Sequence, residues 1–303
     1  MIVRAPGFRI RSSLEVAFSA DGERLATITR NAVALWDVRA RARLWASPIL
    51  DYPSELAFLS DGVFILKNTA GQFASCRTAS AEPIATFTPD SPSEGSNVVV
   101  LDGDRIVDGS WQGQISVRGT DLQPRVVWEE QRTMVTQVTR GEAGTAFVIH
   151  AKHDHPDFER GADRLLFAAG DDLARLAPLA ARWRALGAAS LSASGAIVAL
   201  RVRGSELQTL EVPSGQIVAV GQTSVGGTGE ALAWSPDERH VVLVEKGGFS
   251  FREAASLREI GWLASPYPAA ISFALQGNLI ALGDWQAGLV LAWPDMLGSL
   301  TPR

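Results

Sequence analysis

Cysteine is nearly absent from this chain of 303 residues: Cys76 is the only one. No intramolecular disulfide can form, and a zinc site built on cysteine is excluded. Lysine is almost as scarce, since 25 of the 28 basic residues are arginine. Positive charge is not in excess, and a net charge of −5 argues against a general phosphate-binding surface. No apolar run approaches the length of a membrane-crossing helix. The first residues, MIVRAPGFRIRSS, lack the apolar stretch of a secretion signal. A soluble cytoplasmic chain is expected. Catalytic signatures are missing as well: there is no G-x-S-x-G, no Walker A loop and no H-E-x-x-H.

What the chain does have is a rhythm. In residues 16–38, VAFSADGERLATITRNAVALWDV, three short apolar runs are separated by Asp21-Gly22 and by a polar kink at Thr29–Asn31. Alternating apolar residues bounded by such turns read as an antiparallel meander. The turn after the first run recurs at Gly62, Gly103, Gly144, Gly195, Glu238 and Gly277, at intervals of 40, 41, 41, 51, 43 and 39 residues. Third runs follow as VALWDV, FASCR, ISVRG, RLLFAAG, LQTLEV, FSFRE and LVLAWPD, and fourth runs as ARLWAS, PIATF, RVVWEE, LARLAPL, QIVAVG and LREIGWL. Four short strands per unit of about 40 residues are the signature of a β-propeller blade. The expected fold is therefore all-β, a single domain over residues 1–303, with seven four-stranded antiparallel blades. The seventh unit supplies only three strands. An open ring would expose sheet edges, so Phe8–Ile10 is predicted to close the last blade. Leu173, Leu176, Leu179, Trp183 and Leu186 also fit helical spacing, which predicts a short helix before the fifth unit.

On VAFSADGERLA with Leu35-Trp36-Asp37, and more weakly on LAWSPDERHVV and LVLAW, the chain resembles the WD-repeat propeller family. Only the first unit carries the Trp-Asp pair, and the Gly-His pair of that family is missing throughout. The resemblance implies that the loops joining second to third strands share one face, called top, with the loops leading into the inner strands. It also implies that the inner strands line a central channel.

The unusual residues collect on that face. Trp111-Gln112 and Trp285-Gln286 occupy equivalent turns, Tyr52 and Tyr267 equivalent incoming loops before proline, and Trp183 another incoming loop between two arginines. Such side chains anchor interfaces, and they also pack between neighbouring blades; both readings stand. Trp36, Trp45, Trp128, Trp234 and Trp293 lie inside strand runs and are expected in the core. Glu15 and Glu55 stand seven residues before their turn glycines, Gln137 matches them in the fourth unit, and Glu230 falls within one position in the sixth. They are read as a solvated strand start or as an acidic channel mouth, which by the family resemblance could hold a basic side chain of a partner peptide. His150, His153 and His155 cluster beside Asp154 and Asp157. Zinc or nickel suits those donors, but the spacing matches no recognised site, and a solvated polar loop is favoured. Arg39, Arg41 and Arg43, with Arg9 and Arg11, form a candidate basic patch; without a nucleic-acid motif, binding to nucleic acid is not expected.

The resulting expectation is a non-catalytic scaffold without cofactor, a monomeric propeller within a hetero-complex that receives a protein or peptide on its top face. Its alternatives are a propeller hydrolase using acids at the channel and a propeller that binds a small ligand or metal.

Overall fold

The computed structural model describes residues 7–59, 62–90, 95–160, 163–202, 205–224, 231–276 and 278–302. Seven four-stranded antiparallel sheets are arranged as the blades of a propeller. Blade one runs outward from the channel as Glu15–Phe18, Arg24–Ile28, Val33–Asp37 and Ala42–Ser47. Blades two to six repeat that order. Blade seven takes Pro268–Phe273, Leu279–Asp284 and Ala287–Ala292 from the end of the chain, and its outer strand, Gly7–Arg11, from the beginning. That strand pairs from Gly7 opposite Leu291 to Arg11 opposite Ala287. The predicted ring closure is thus observed, over a slightly longer segment than Phe8–Ile10. No helix among the described residues is long and apolar enough to cross a membrane.

The physical reason for the ring lies in where the apolar residues go. Seven hydrophobic clusters form, and each lies between two adjacent blades. One blade alone buries only half of its apolar surface, so the stack is stable only when every blade has two neighbours. The cluster between blades seven and one, for example, unites Ile10, Ala281 and Val290 with Val16, Leu25 and Trp36. Trp36, Trp234 and Trp293 are buried as expected, while Trp45 and Trp128 are half-buried.

Several inner hairpins turn through residues with left-handed backbone. Gly22 has φ +72°, and a Cβ there would approach the Gln276 carbonyl oxygen to 2.4 Å. Glu238 adopts φ 56° at the equivalent point of blade six. Its carboxylate accepts hydrogen bonds from the backbone N–H and hydroxyl of Ser194 in blade five's hairpin, which ties the two turns together.

Two expectations are corrected. Residues 173–186 hold no helix: the outer strand of blade four is Ala177–Trp183 rather than LARLAPL, and Leu179 and Trp183 join the core between blades four and five. Helical and strand spacings coincide over this stretch. Pro178 fits an outer strand, which needs no donor on its free side, and the burial of Leu179 and Trp183 decides for the strand. After blade seven the chain returns to blade six. A 3-10 helix, Asp295–Ser299, turns it back so that Thr301 bridges to Trp262 on the outer strand of blade six, with Leu300 packed over Gly261.

Candidate functional site: the mouth of the central channel

In blade after blade, the turn between second and third strands is bonded to the incoming loop. Trp285 N–H donates to Tyr267 O at 3.0 Å, Thr69 N–H to Tyr52 O at 3.4 Å, and Lys152 N–H to Arg132 O at 2.9 Å. These two kinds of loop therefore share one face. In blade seven Asp284 clamps them: its carboxylate accepts from Ser265 Oγ, Tyr267 N–H and Gln286 N–H, at 2.5, 2.9 and 2.6 Å. Asn68 has the corresponding place in blade two, accepting from Ala70 and Gln72 and donating to Asp51 O. Partial burial works to raise the Asp284 carboxyl, and the hydrogen bonds from Ser265, Gln286, Tyr267 and Ala287 together outweigh it and hold the group below its ordinary range.

The clamped loops present large rings to solvent. Tyr52, Trp111, Tyr267 and Trp285 are 39 to 63% exposed, and Gln112 and Gln286 are exposed beside the tryptophans. Trp183 does not belong with them. It is buried, and its indole N–H donates to Gln208 Oε1 at 3.3 Å. The outer strand, not an incoming loop, carries it, and the alternation Leu179, Ala181, Trp183 is the sequence signal that marks this. Glu230 lies outside the described residues.

Below the rings the channel opens into a cavity of about 900 Å³. Glu15, Glu55 and Gln137 line it together with Trp111, Phe158, His150 and Arg184. Gln137 is tied down, its Oε1 accepting from Ala189 N–H at 2.6 Å. The two glutamates sit on neighbouring inner strands, half-buried at the cavity wall and close enough for their charges to interact. Burial, and then the Glu55 charge, push the Glu15 carboxyl well above its ordinary value. Burial raises Glu55 to about 7, while the charge of Lys67 opposes the rise. Near neutral pH this mouth holds protons as well as negative charge.

A raised acid binds its proton more tightly folded than unfolded, so the contribution of Glu55 is full below the unfolded value near 4.5 and is lost as pH rises through about 7. At about 1.4 kcal/mol per unit, and with water in the channel mouth screening part of it, roughly 2 kcal/mol is at stake for Glu55. Glu55→Gln is therefore expected to melt about 4 °C higher than wild type at pH 8, with the gap closing at pH 4.5. Thermal melts at both pH values check this, and a pH-independent gap would contradict it.

Behind Glu55 runs a buried ionic chain that sequence reasoning missed. Lys67 Nζ donates to Ser96 O at 2.8 Å and lies 3.7 Å from Asp108. Asp108 also accepts from Arg118 Nε at 3.2 Å. Arg118 donates to Leu122 O at 2.7 Å, and its guanidinium covers the rings of Phe73 and Phe87, 4.3 and 4.6 Å from their centroids. Burial lowers the Lys67 ammonium, with Asp108 and Glu55 opposing that effect. Register offers the missed signal: Arg118 opposes Ile106 as Trp36 opposes Leu25, and Arg252 opposes Val241 in the same way. In blades three and six an arginine stands where blade one has its tryptophan. Arg252 pairs with Glu245 at 2.8 Å and donates to Leu257 O, repeating the arrangement.

The three histidines do not converge. His150 Nδ1 is 2.7 Å from Asp163 Oδ2, which also accepts from Leu186 N–H. His153 faces the Phe158 ring, and His155 lies 3.5 Å from Glu130 while its Nδ1 accepts from Asp157 N–H. Among the described residues, no three His, Cys, Asp or Glu side chains are placed to hold a metal ion. Arg9, Arg11, Arg39, Arg41 and Arg43 are all exposed.

This geometry defines a seven-bladed β-propeller with an aromatic-rimmed, acidic channel mouth. No family model matches the chain, and no curated protein sequence does. Among solved structures, the β-propeller domain of Cps50 (Swd1) from Myceliophteria thermophila superposes with a TM-score of 0.73 at 11% identity, covering 94% of this chain and 98% of that one. Since 1795 chains of solved structures match, the likeness selects a fold and not a function.

Proposed function

We propose that the chain is a single-domain, WD-like propeller acting as a non-catalytic cytoplasmic scaffold, which receives a partner protein or peptide on the face that carries Tyr52, Trp111, Tyr267 and Trp285. The observation that supports this reading is the exposure of these rings on loops held rigid by backbone and Asp284 clamps. Large aromatic side chains on pre-ordered loops lose little freedom on binding and bury much area, which is how interface anchors work. Trp111 also lines the cavity, so a partner seated on the rings reaches the acidic mouth.

Trp111→Ala combined with Trp285→Ala is expected to abolish co-purification of a specific partner from native lysate while leaving the melting temperature within about 2 °C, as surface truncations do. A partner retained by the double variant would overturn this use of the face. A second reading, a hydrolase with an acid–base pair at the channel, is favoured by one feature: Glu15 and Glu55 line the same cavity, and burial raises both carboxyls above their ordinary range. Hydrolysis of a glycoside or ester that is lost in Glu15→Gln and Glu55→Gln, but kept in the tryptophan variant, would support it instead.

A further inference from the structure

Each blade of a propeller ends in an outer strand whose far side has no partner in the sheet, and an open edge is a template for pairing with another chain. Six of the seven outer strands here carry a charge or a proline. Gly7–Arg11 holds Arg9 and Arg11, Ala42–Ser47 holds Arg43, Pro83–Phe87 begins with proline, and Arg125–Glu129 has a charge at each end. Ala177–Trp183 holds Pro178 and Arg182. Glu259–Ala264 holds Glu259 and is further covered by the bridge from Thr301.

The outer strand of blade five, Ile217–Gln222, has neither charge nor proline. It also exposes three large apolar residues, Ile217, Val218 and Val220, each 46 to 52% accessible, where the outer strands of blades one, two and three expose one each, Leu44, Ile84 and Val126. Its bulge opposite Thr209–Leu210 does not set it apart, because the outer hairpins of five other blades have one too.

What would cover this edge is indicated by the order of its residues. From Gln216 to Gln222 the chain reads Q-I-V-A-V-G-Q, and it is nearly the same in both directions about Ala219. Two copies meeting antiparallel across a two-fold axis at Ala219 would set Val218 against Val220 of the other copy, Gln216 against Gln222, and the bulky Ile217 against Gly221. A two-fold interface must be complementary to itself, and this strand is. No like charges meet, since the segment has none.

We propose that the outer strand of blade five is a self-association edge, through which two copies of this chain pair antiparallel about Ala219 into one continuous sheet. The interface lies on the rim of the propeller and leaves the aromatic face free, so it goes beyond the scaffold reading and departs from the monomer expected from sequence. Apolar cross-strand pairs and the ladder of backbone hydrogen bonds would hold it.

Sedimentation velocity on the full chain, from about 1 to about 100 μM, should show a monomer–dimer equilibrium of roughly micromolar strength, as suits a small interface. Combining Val218→Lys with Val220→Lys opposes ammonium to ammonium across the axis and should weaken dimerisation at least about ten-fold. Val126→Lys, on the outer strand of blade three, should leave it unchanged. Ala219→Cys supplies a readout independent of those variants. The native thiol, Cys76, is fully buried. A residue on the axis faces its own copy at a distance that suits a disulfide. Mild oxidation should then give a covalent dimer from Ala219→Cys and none from Ala46→Cys on the outer strand of blade one. A wild type that stays monomeric at every concentration, together with no cross-link from Ala219→Cys, would overturn the proposal. So would a dimer that survives the double lysine variant. The Trp111→Ala, Trp285→Ala variant should dimerise normally, which separates failure here from failure of the top-face reading.

Discussion

Removal of residues 1–12 should lower the melting temperature by about 10 °C or more. The strand lost, Gly7–Arg11, is the only link that makes blade seven four-stranded. Ile10 is fully buried and rests on Gly288, where a Cβ would come within 2.7 Å of the isoleucine side chain. Phe8 lies 6.4 Å from the ring of Trp36 and bridges blade seven to blade one. Burial of Ile10 and of part of Phe8, with the pairing of a whole strand, sums to roughly 5 kcal/mol. At about 2 °C per kcal/mol for a chain of this size, the loss reaches the stated range. Truncation would also turn Ala287–Ala292, an uncharged apolar segment, into a new edge, so aggregation should accompany the shift. Differential scanning calorimetry with light scattering measures both. An unchanged melting point would show that the ring closes without this strand.

The second large effect is expected at Asp108. Its carboxylate is the shared counter-charge of two buried cations, Lys67 at 3.7 Å and Arg118 at 3.2 Å. Asp108→Ala leaves both cations in a low-dielectric space with carbonyl partners and the more distant Glu55. Breaking a buried ion pair from one side typically costs about 3–5 kcal/mol, whereas replacing all its members with apolar residues of similar volume is often neutral. Urea unfolding of Asp108→Ala should therefore show a loss of about 4 kcal/mol, while the triple variant Lys67→Met, Asp108→Leu, Arg118→Met should recover most of it. A loss below about 1 kcal/mol for the single change would mean that the carbonyl acceptors of Lys67 and Arg118 suffice.

How far the molecule could be read beforehand follows from what each signal depends on. Turn chemistry is local, so Asp21-Gly22 and its relatives betrayed the blade count and even the need for a closing strand. Outer strands carry weaker patterns because only one of their faces is packed. The segment around Trp183 shows the result: its apolar residues satisfy helical and strand spacing alike, and only packing against blade five separates the two. The glutamates were picked out by position, and the structure sets Glu15 and Glu55 on one cavity with Gln137. Their shifted proton affinities depend on burial and on Lys67, which no spacing in one sequence reveals. The place of Arg118 and Arg252 was visible in the aligned third strands ISVRG and FSFRE. Reading it required the idea that a buried guanidinium, stacked on rings in the case of Arg118, can replace an indole. His150 illustrates the converse, since neighbours in sequence suggested a cluster that alternation and Asp163 pull apart.

Ring closure by Gly7–Arg11 also has a consequence in time. Gly7–Arg11 leaves the ribosome long before its partner strand, Ala287–Ala292. Until then the apolar flank of blade one, with Val16, Leu25 and Trp36, has no neighbour to cover it. Contacts so far apart in the chain form slowly, because a long loop must be closed before they stabilise anything. Blades two to six can stack progressively during synthesis, each on the one before. The final step is different in kind, a single long-range docking that turns an open arc into a ring, and during that interval the nascent chain is most exposed to chaperones and to misassembly.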